Sequence, residues 1–335
     1  MPSQHTAAAN PNPLLLALRD IKLAHTVFAL PFALLAAFLA APIDAEHGGI
    51  VFRIFLPQLA LIVACMFFAR TWAMLVNRLA DAKFDKDNPR TAGRAVAAGQ
   101  LSSRAGWTIA LASAGAFWIT TFGFLLFRNP WPALLAPIAL FWTAAYAYTK
   151  RFTALCHIFL GTALAISPIC AAIAINPQTL FSTDLATITI FQMEGSSWAQ
   201  FTINDSLLLS LVALAIFITC WVAGFDIAYA LADLDFDRKT GLHSIPASLG
   251  VNGALLVSRL LHAGAIIALL AFAHFAPSLG VITLSATAGV ACLLIYEHLV
   301  LAERGIAGLP IAFFTINGII SVAFSTAAIV DTFIQ

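Results

Sequence analysis

Charge is scarce in this chain. Only 10% of its 335 residues are Asp, Glu, Lys or Arg, and 61% are hydrophobic. A soluble domain needs more polar surface than that, so the balance points to a protein held mostly in lipid. Neither sign of charge dominates, since the net charge is +1, and no basic cluster with interleaved aromatics lies outside the charged loops. Nucleic acid is therefore not an expected partner. Cysteine is sparse and dispersed. Cys65, Cys156, Cys170, Cys220 and Cys292 each sit inside an apolar segment, with no C-x-x-C or Cys/His ligand spacing. Disulfide-framework and zinc readings depend on such spacings, so these thiols read as small packing residues. The first apolar run lacks a small-residue cleavage site and reads as a retained helix, with residues 1–13 as a flexible tail.

Long apolar runs are what the chain has in quantity. Segments of roughly 20 residues, the length that spans a bilayer, fall at about 23–41, 54–77, 105–127, 131–149, 152–175, 207–231, 252–275, 279–301 and 309–333. The expectation is one all-α integral-membrane domain over residues 1–335, with nine transmembrane helices. Pro31, Pro57 and Pro137 fall inside such runs, which membrane helices tolerate when neighbours cover the freed carbonyl.

Placing the N-terminus in the cytoplasm sorts the basic residues. Arg19, Lys22, Arg78, Lys83, Lys86, Arg90, Arg94, Arg104, Lys150, Arg151, Arg238, Lys239 and Arg304 then lie inside, and only Arg53 and Arg128 outside. Thirteen against two sets the orientation by the positive-inside rule. Residues 176–206 become an extracytoplasmic insertion without Lys or Arg.

The charge that does occur is concentrated in two places. In NRLADAKFDKDNPRTAGR (77–94), Asn77, Asp81 and Asp85 sit at i, i+4 and i+8. About 100° per residue keeps all three within roughly 80° of one helix face. Gathered oxygens of this kind suit Mg²⁺, which takes a few carboxylates plus substrate phosphates. Arg90 and Arg94 are placed to grip the same phosphates; a solvated interhelical loop would also show mixed charge. In DIAYALADLDFDRKTGLHS (226–244), Asp226, Tyr229, Asp233 and Asp237 fall at i, i+3, i+7 and i+11, again one stripe. An EF-hand reading fails, because Arg238 stands where Gly is needed and Ser244 where Glu is needed.

DAKFDK (81–86) and DLDFDR (233–238) share D-x-x-F-D-basic. Four runs separate them, so both return to one membrane side as two pseudo-repeated halves. Facing stripes would clamp a diphosphate and its metal.

Several single residues remain. Arg70 projects from nearly the same face as Asn77, about 10 Å deeper. It serves either a structural ion pair or an acidic substrate group. Lys22 at the first helix entry reads as a snorkelling residue or a substrate contact. Lys150 and Arg151 set topology in a short turn, and Tyr146, four residues before Lys150, reaches the same region. Arg259, His262, Glu297 and His298 read as interhelical hydrogen-bonding groups.

These motifs resemble the UbiA family of intramembrane aromatic prenyltransferases. Asn77, Asp81 and Asp85 match its first Asp-rich motif, with Arg78 where many members have Asp. Tyr146 and Lys150 match its Y-x-x-x-K, and Asp226, Tyr229, Asp233 and Asp237 match the second Asp-rich motif. IKLAHTVFALPFAL, NPRTAGR and FDRKTGLHSIPA look most like the 4-hydroxybenzoate polyprenyltransferase branch and its menaquinone-route relatives that use a dihydroxynaphthoate. The long 176–206 segment departs from the usual short loop.

The resemblance implies helices around a central cavity, open to the cytoplasm, in a multi-pass inner-membrane enzyme. It implies Mg²⁺ on Asn77, Asp81, Asp85, Asp233 and Asp237, and a polyprenyl diphosphate contacted by Arg90, Arg94, Lys150 and Arg151, with Lys22 and Tyr146 nearby. It further implies a small aromatic acid whose carboxylate meets Arg70, with Asp226, Tyr229 and Lys150 as catalytic groups. A transporter is the reading from another class, but acids at helix ends are unlike midplane sites on broken helices. A phospholipid-headgroup transferase would need D-G-x-x-A-R, which follows neither stripe.

Overall fold

Why these residues form a helical bundle shows first in their polarity, which is turned outward. In the computed structural model, Leu126 is 85% and Ile119 73% exposed, while Asp81 is only 2% exposed. Apolar side chains face the surroundings and acids face the interior, as a lipid solvent requires. The structure describes residues 12–21, 28–44, 46, 48–178, 206–276 and 278–334.

The helices are α1 (Pro13–Ile21), α2 (Leu30–Leu39), α3 (Phe52–Asp87), α4 (Ser103–Thr121), α5 (Trp131–Thr149), α6 (Cys156–Ile175), α7 (Ser206–Ala230), α8 (Leu234–Thr240), α9 (Ile245–Phe275), α10 (Val281–Arg304) and α11 (Asn317–Asp331). A π-helical segment, Ile311–Ile316, leads into α11. Among the described residues, extended pairing is limited to an isolated bridge between Ile43 and Ile50.

Each of the nine apolar runs contains a helix, but not all nine are long and apolar enough among the described residues to count as spans. Seven described helices are long and apolar enough to cross a membrane. α2 has 10 described helical residues. α5 has 19 residues but carries Pro132, Pro137 and four Trp or Tyr rings, which lower its hydropathy. Lys22 and most of the 176–206 segment lie outside the described residues.

Local chemistry explains the boundaries. Asn12 accepts a hydrogen bond from the Leu14 amide at 2.9 Å and Pro13 opens α1, a short helix not foreseen between the tail and the first apolar run. Its Leu16, Ala17 and Ile21 pack against Leu75, Ala95 and Leu101. Ser102 caps α4 by accepting from the Ala105 amide. α9 starts at the Ser244 cap with Pro246 in its first turn, then breaks at Gly250, where φ is 70°. That left-handed conformation suits glycine.

α6 and α7 cross closely: a Cβ on Gly161 would collide with the Thr219 backbone. Around α7, Phe217, Trp221, Phe272 and Phe324 are fully buried. Between α3, α4, α5 and α6 the interior is instead hollow, an apolar cavity of about 280 Å³.

Candidate active site at the charged end of the bundle

α3 runs for 36 residues, about 54 Å at 1.5 Å per residue, and so outruns an apolar bilayer core. Its last three turns carry Asn77, Asp81 and Asp85. Acids at a helix C-terminus oppose the macrodipole, so they need cations, and the next loop delivers them. Asn88 ends the helix in an extended conformation and Pro89 prevents its continuation. The Asn88 side chain accepts from the Arg90 amide at 3.0 Å, turning the chain back. Arg94 Nη1 then donates to both oxygens of Asp85 at 2.7 and 2.8 Å. From the α5 end, Lys150 Nζ donates to Asp81 Oδ2 at 2.6 Å.

The second stripe arrives from α7 and is not one continuous helix, which corrects the expectation. A 3₁₀ turn, Leu231–Asp233, separates α7 from α8. The turn brings Asp233 toward the first motif. Its carboxylate accepts from Arg90 Nε, from Arg90 Nη2 and from Asn88 Nδ2. Arg90 Nη1 also donates to the Tyr229 hydroxyl at 2.7 Å. Burial lowers the Arg90 pKa, but its bonds to Asp233 and Tyr229 outweigh that, leaving it above the ordinary value. Asp237 accepts from the Ser244 hydroxyl at 2.8 Å.

Together these residues line a polar cavity of about 220 Å³, which collects Asn77, Asp81, Asp85, Asp226, Asp233 and Asp237 with Arg90, Arg94 and Lys150. It shares Tyr146 and Leu160 with the apolar cavity, so the two compartments meet there. Arg70 lines the apolar compartment, and its Nε and Nη2 are buried without a hydrogen-bond partner. Arg151 is not brought in. It donates to the Ala80 carbonyl at 2.6 Å and lies over the rings of Phe84 and Tyr148.

Three residues of the cavity were missed. His157 Nδ1 lies 2.7 Å from Asp226 Oδ2. Asn88 ties the two motifs together, as described above. Arg78 is 8% exposed and lines the cavity; its Nη1 donates to Asn77 Oδ1 at 3.2 Å, while its Nε is buried without a hydrogen-bond partner. The N-P-R spacing signals the Asn88 turn. No sequence signal marks His157, which is 69 residues from its partner.

The donor set tests whether Mg²⁺ fits. All the acids are oxygen donors, and Asp81 Oδ1 is buried without a hydrogen-bond partner. Yet among the described residues no three His, Cys, Asp or Glu side chains converge as a ligand group. The described residues thus build no all-protein cage, while a metal completed by phosphate oxygens and water fits them.

Fold and site define a polytopic helical membrane protein with a carboxylate-and-base chamber set on an apolar one. The UbiA prenyltransferase family profile matches residues 29–319, and the chain belongs to that family. It is 28% identical over 190 residues to a 4-hydroxybenzoate octaprenyltransferase of Shewanella pealeana, covering 57% of this chain and 55% of the relative. The chain thus spans a little over half the length of that relative. A protein of the same description from Cronobacter sakazakii is 26% identical over 246 residues, 73% of each chain. The apo structure of a UbiA homolog from Aeropyrum pernix K1 superposes with a TM-score of 0.73 at 29% identity, over 92% of this chain and 98% of that one. A UbiA homolog from Archaeoglobus fulgidus bound to DMAPP and Mg²⁺ shares the fold, with a TM-score of 0.62 at 17% identity over 95% and 99%.

Proposed function

We propose that this protein transfers a polyprenyl group from its diphosphate to the ring of a small aromatic acid such as 4-hydroxybenzoate, in quinone biosynthesis. The observation that carries the reading is the joined pair of chambers, polar and apolar, meeting at Tyr146 and Leu160. An amphiphile with an anionic head and a hydrocarbon tail fits that shape, with its allylic carbon–oxygen bond at the junction. Named relatives and Mg²⁺-bound family structures support it.

Arg90, Arg94 and Lys150 bind the diphosphate by exchanging carboxylates for phosphate oxygens, as charge-assisted donors. Arg78, which has no carboxylate partner, needs no such exchange. Mg²⁺ held by Asn77, Asp81, Asp85, Asp233 and Asp237 supplies Lewis-acid stabilisation to the leaving diphosphate when bound. The apolar chamber takes the tail nearest the reacting carbon and excludes water from the allylic cation. The rest of the tail passes into lipid. Arg70 pairs with the acceptor's carboxylate, and Asp226 and Tyr229 position the ring. The charged end faces the cytoplasm of an inner membrane, as the thirteen-to-two distribution of basic residues supports.

The test uses purified protein in lipid nanodiscs, Mg²⁺, a labelled polyprenyl diphosphate and a panel of hydroxybenzoates and dihydroxynaphthoates. The wild type should prenylate a benzoate, and Asp81→Ala and Asp233→Ala should each lose roughly a hundredfold or more of the rate. A naphthoate preference would move the assignment to the menaquinone route. Full rates in either variant would refute the site, and diphosphate-independent solute uptake would favour a transporter.

A further inference from the structure

We propose that His157 is the positioning residue that holds Asp226 as the base for the acceptor's hydroxyl proton. This rests on the prenyl-transfer reading and adds a residue that reading does not use. His157 opens α6, is 3% exposed and lines the polar cavity. Its Nδ1 is 2.7 Å from Asp226 Oδ2, and its Nε2 faces the Ile245 amide at 3.4 Å. A main-chain N–H only donates, so Nε2 carries the lone pair and the ring proton sits on Nδ1. That tautomer is assigned from the second nitrogen's partner. The imidazole therefore donates to Asp226, fixing one oxygen and leaving Oδ1 to the cavity.

Asp226 differs from the other acids of the chamber. Asp81, Asp85 and Asp233 are each neutralised by Lys150, Arg94 and Arg90, and Asp237 is held by Ser244. Asp226 alone is held by an imidazole, with its side chain 23% exposed. It also stands at the junction. The preceding residue, Phe225, lines the apolar cavity, and Leu160, about one turn beyond His157, lines both. A ring whose carboxylate meets Arg70 in the apolar chamber would present its hydroxyl toward this level.

The chemistry balances without a further reagent. The acceptor's O–H bond breaks and its proton goes to Asp226 Oδ1. The ring carbon ortho to that oxygen bonds to the allylic carbon as the carbon–oxygen bond to diphosphate breaks, and the electron pair leaves with the diphosphate. The ring C–H proton passes to the released diphosphate, and Asp226 returns its proton to the ring oxygen. His157 keeps its Nδ1 proton throughout.

The experiment compares His157→Phe, His157→Asn, Asp226→Asn and the double variant His157→Phe/Asp226→Asn in nanodiscs, with kcat and both KM values measured. His157→Phe should lower kcat by tenfold or more and leave the KM for the diphosphate within twofold. His157→Asn, whose amide nitrogen can donate in place of Nδ1, should recover to within about threefold of the wild type. The double variant should be no slower than Asp226→Asn alone. Wild-type kcat in His157→Phe or in Asp226→Asn, or an Asn variant as slow as Phe, would overturn the proposal. A wild type that prenylates no aromatic acid would sink the transfer reading instead. ¹⁵N-histidine spectra still decide the His157 assignment in that case. A proton on Nδ1 that shifts in Asp226→Ala supports it, and a neutral ring protonated on Nε2 overturns it.

Discussion

Asp81 shows how finely charge is matched at the level of single residues. One of its oxygens accepts from Lys150 at 2.6 Å, while the other is buried with no hydrogen-bond partner. An unsatisfied carboxylate oxygen inside a bundle is costly, and it is retained where a ligand supplies what is missing. Arg70 presents the complementary case, a buried guanidinium with two idle nitrogens. Replacing Arg70 with Ala should raise the KM for the aromatic acid at least tenfold and leave that for the diphosphate nearly unchanged. Equal changes in both would count against its pairing with the acceptor. Arg78→Met should show the opposite split, since Arg78 lines the polar chamber and faces its acids. Steady-state kinetics with each substrate varied in turn distinguishes the two.

At the scale of the element, close packing and unusual backbone carry the weight. Adding a methyl at Gly161 drives it into the Thr219 backbone, and a backbone cannot rotate aside. Gly161→Ala should therefore destabilise the bundle by about 1–3 kcal/mol, the usual range for overpacking. Thermal unfolding in detergent measures it, and an unchanged Tm would show that α6 and α7 can separate without penalty. The π-helical segment before α11 is similarly tied. Asn317 accepts from Trp221 Nε1 at 2.6 Å and donates to the Ala312 carbonyl at 2.8 Å and to Glu297 at 3.3 Å. That keeps Phe313 against the Tyr229 ring, 4.3 Å between centroids. Wide turns of this kind concentrate at functional sites. Asn317→Ala strands the Trp221 N–H and should cost about 1–3 kcal/mol. It should also lower the transfer rate, because Tyr229 loses its backing; a lower Tm with an intact rate would confine Asn317 to stability.

For the whole molecule, the chamber's bases do in the free protein what a ligand does in the complex. Asp81, Asp85 and Asp233 already have cationic partners. The fold should accordingly be indifferent to metal: EDTA should leave Tm unchanged while abolishing transfer. Mg²⁺ and a polyprenyl diphosphate together should raise Tm, whereas Mg²⁺ alone should not, because binding stabilises only the state that holds the ligand. A large Tm rise with Mg²⁺ alone would mean that the protein builds a metal cage by itself.

Much of this was readable from the chain. Apolar runs located the helices, and carboxylate spacing picked out Asn77, Asp81, Asp85, Asp233 and Asp237, because helical periodicity is a local property. Their common chamber, the 3₁₀ break that turns Asp233, and the removal of Arg151 to the Ala80 carbonyl were decided by tertiary packing. The pairing of His157 with Asp226 was as well. Each depends on which helices lie side by side across dozens of residues, and neither composition nor spacing encodes that proximity in a form a single sequence displays.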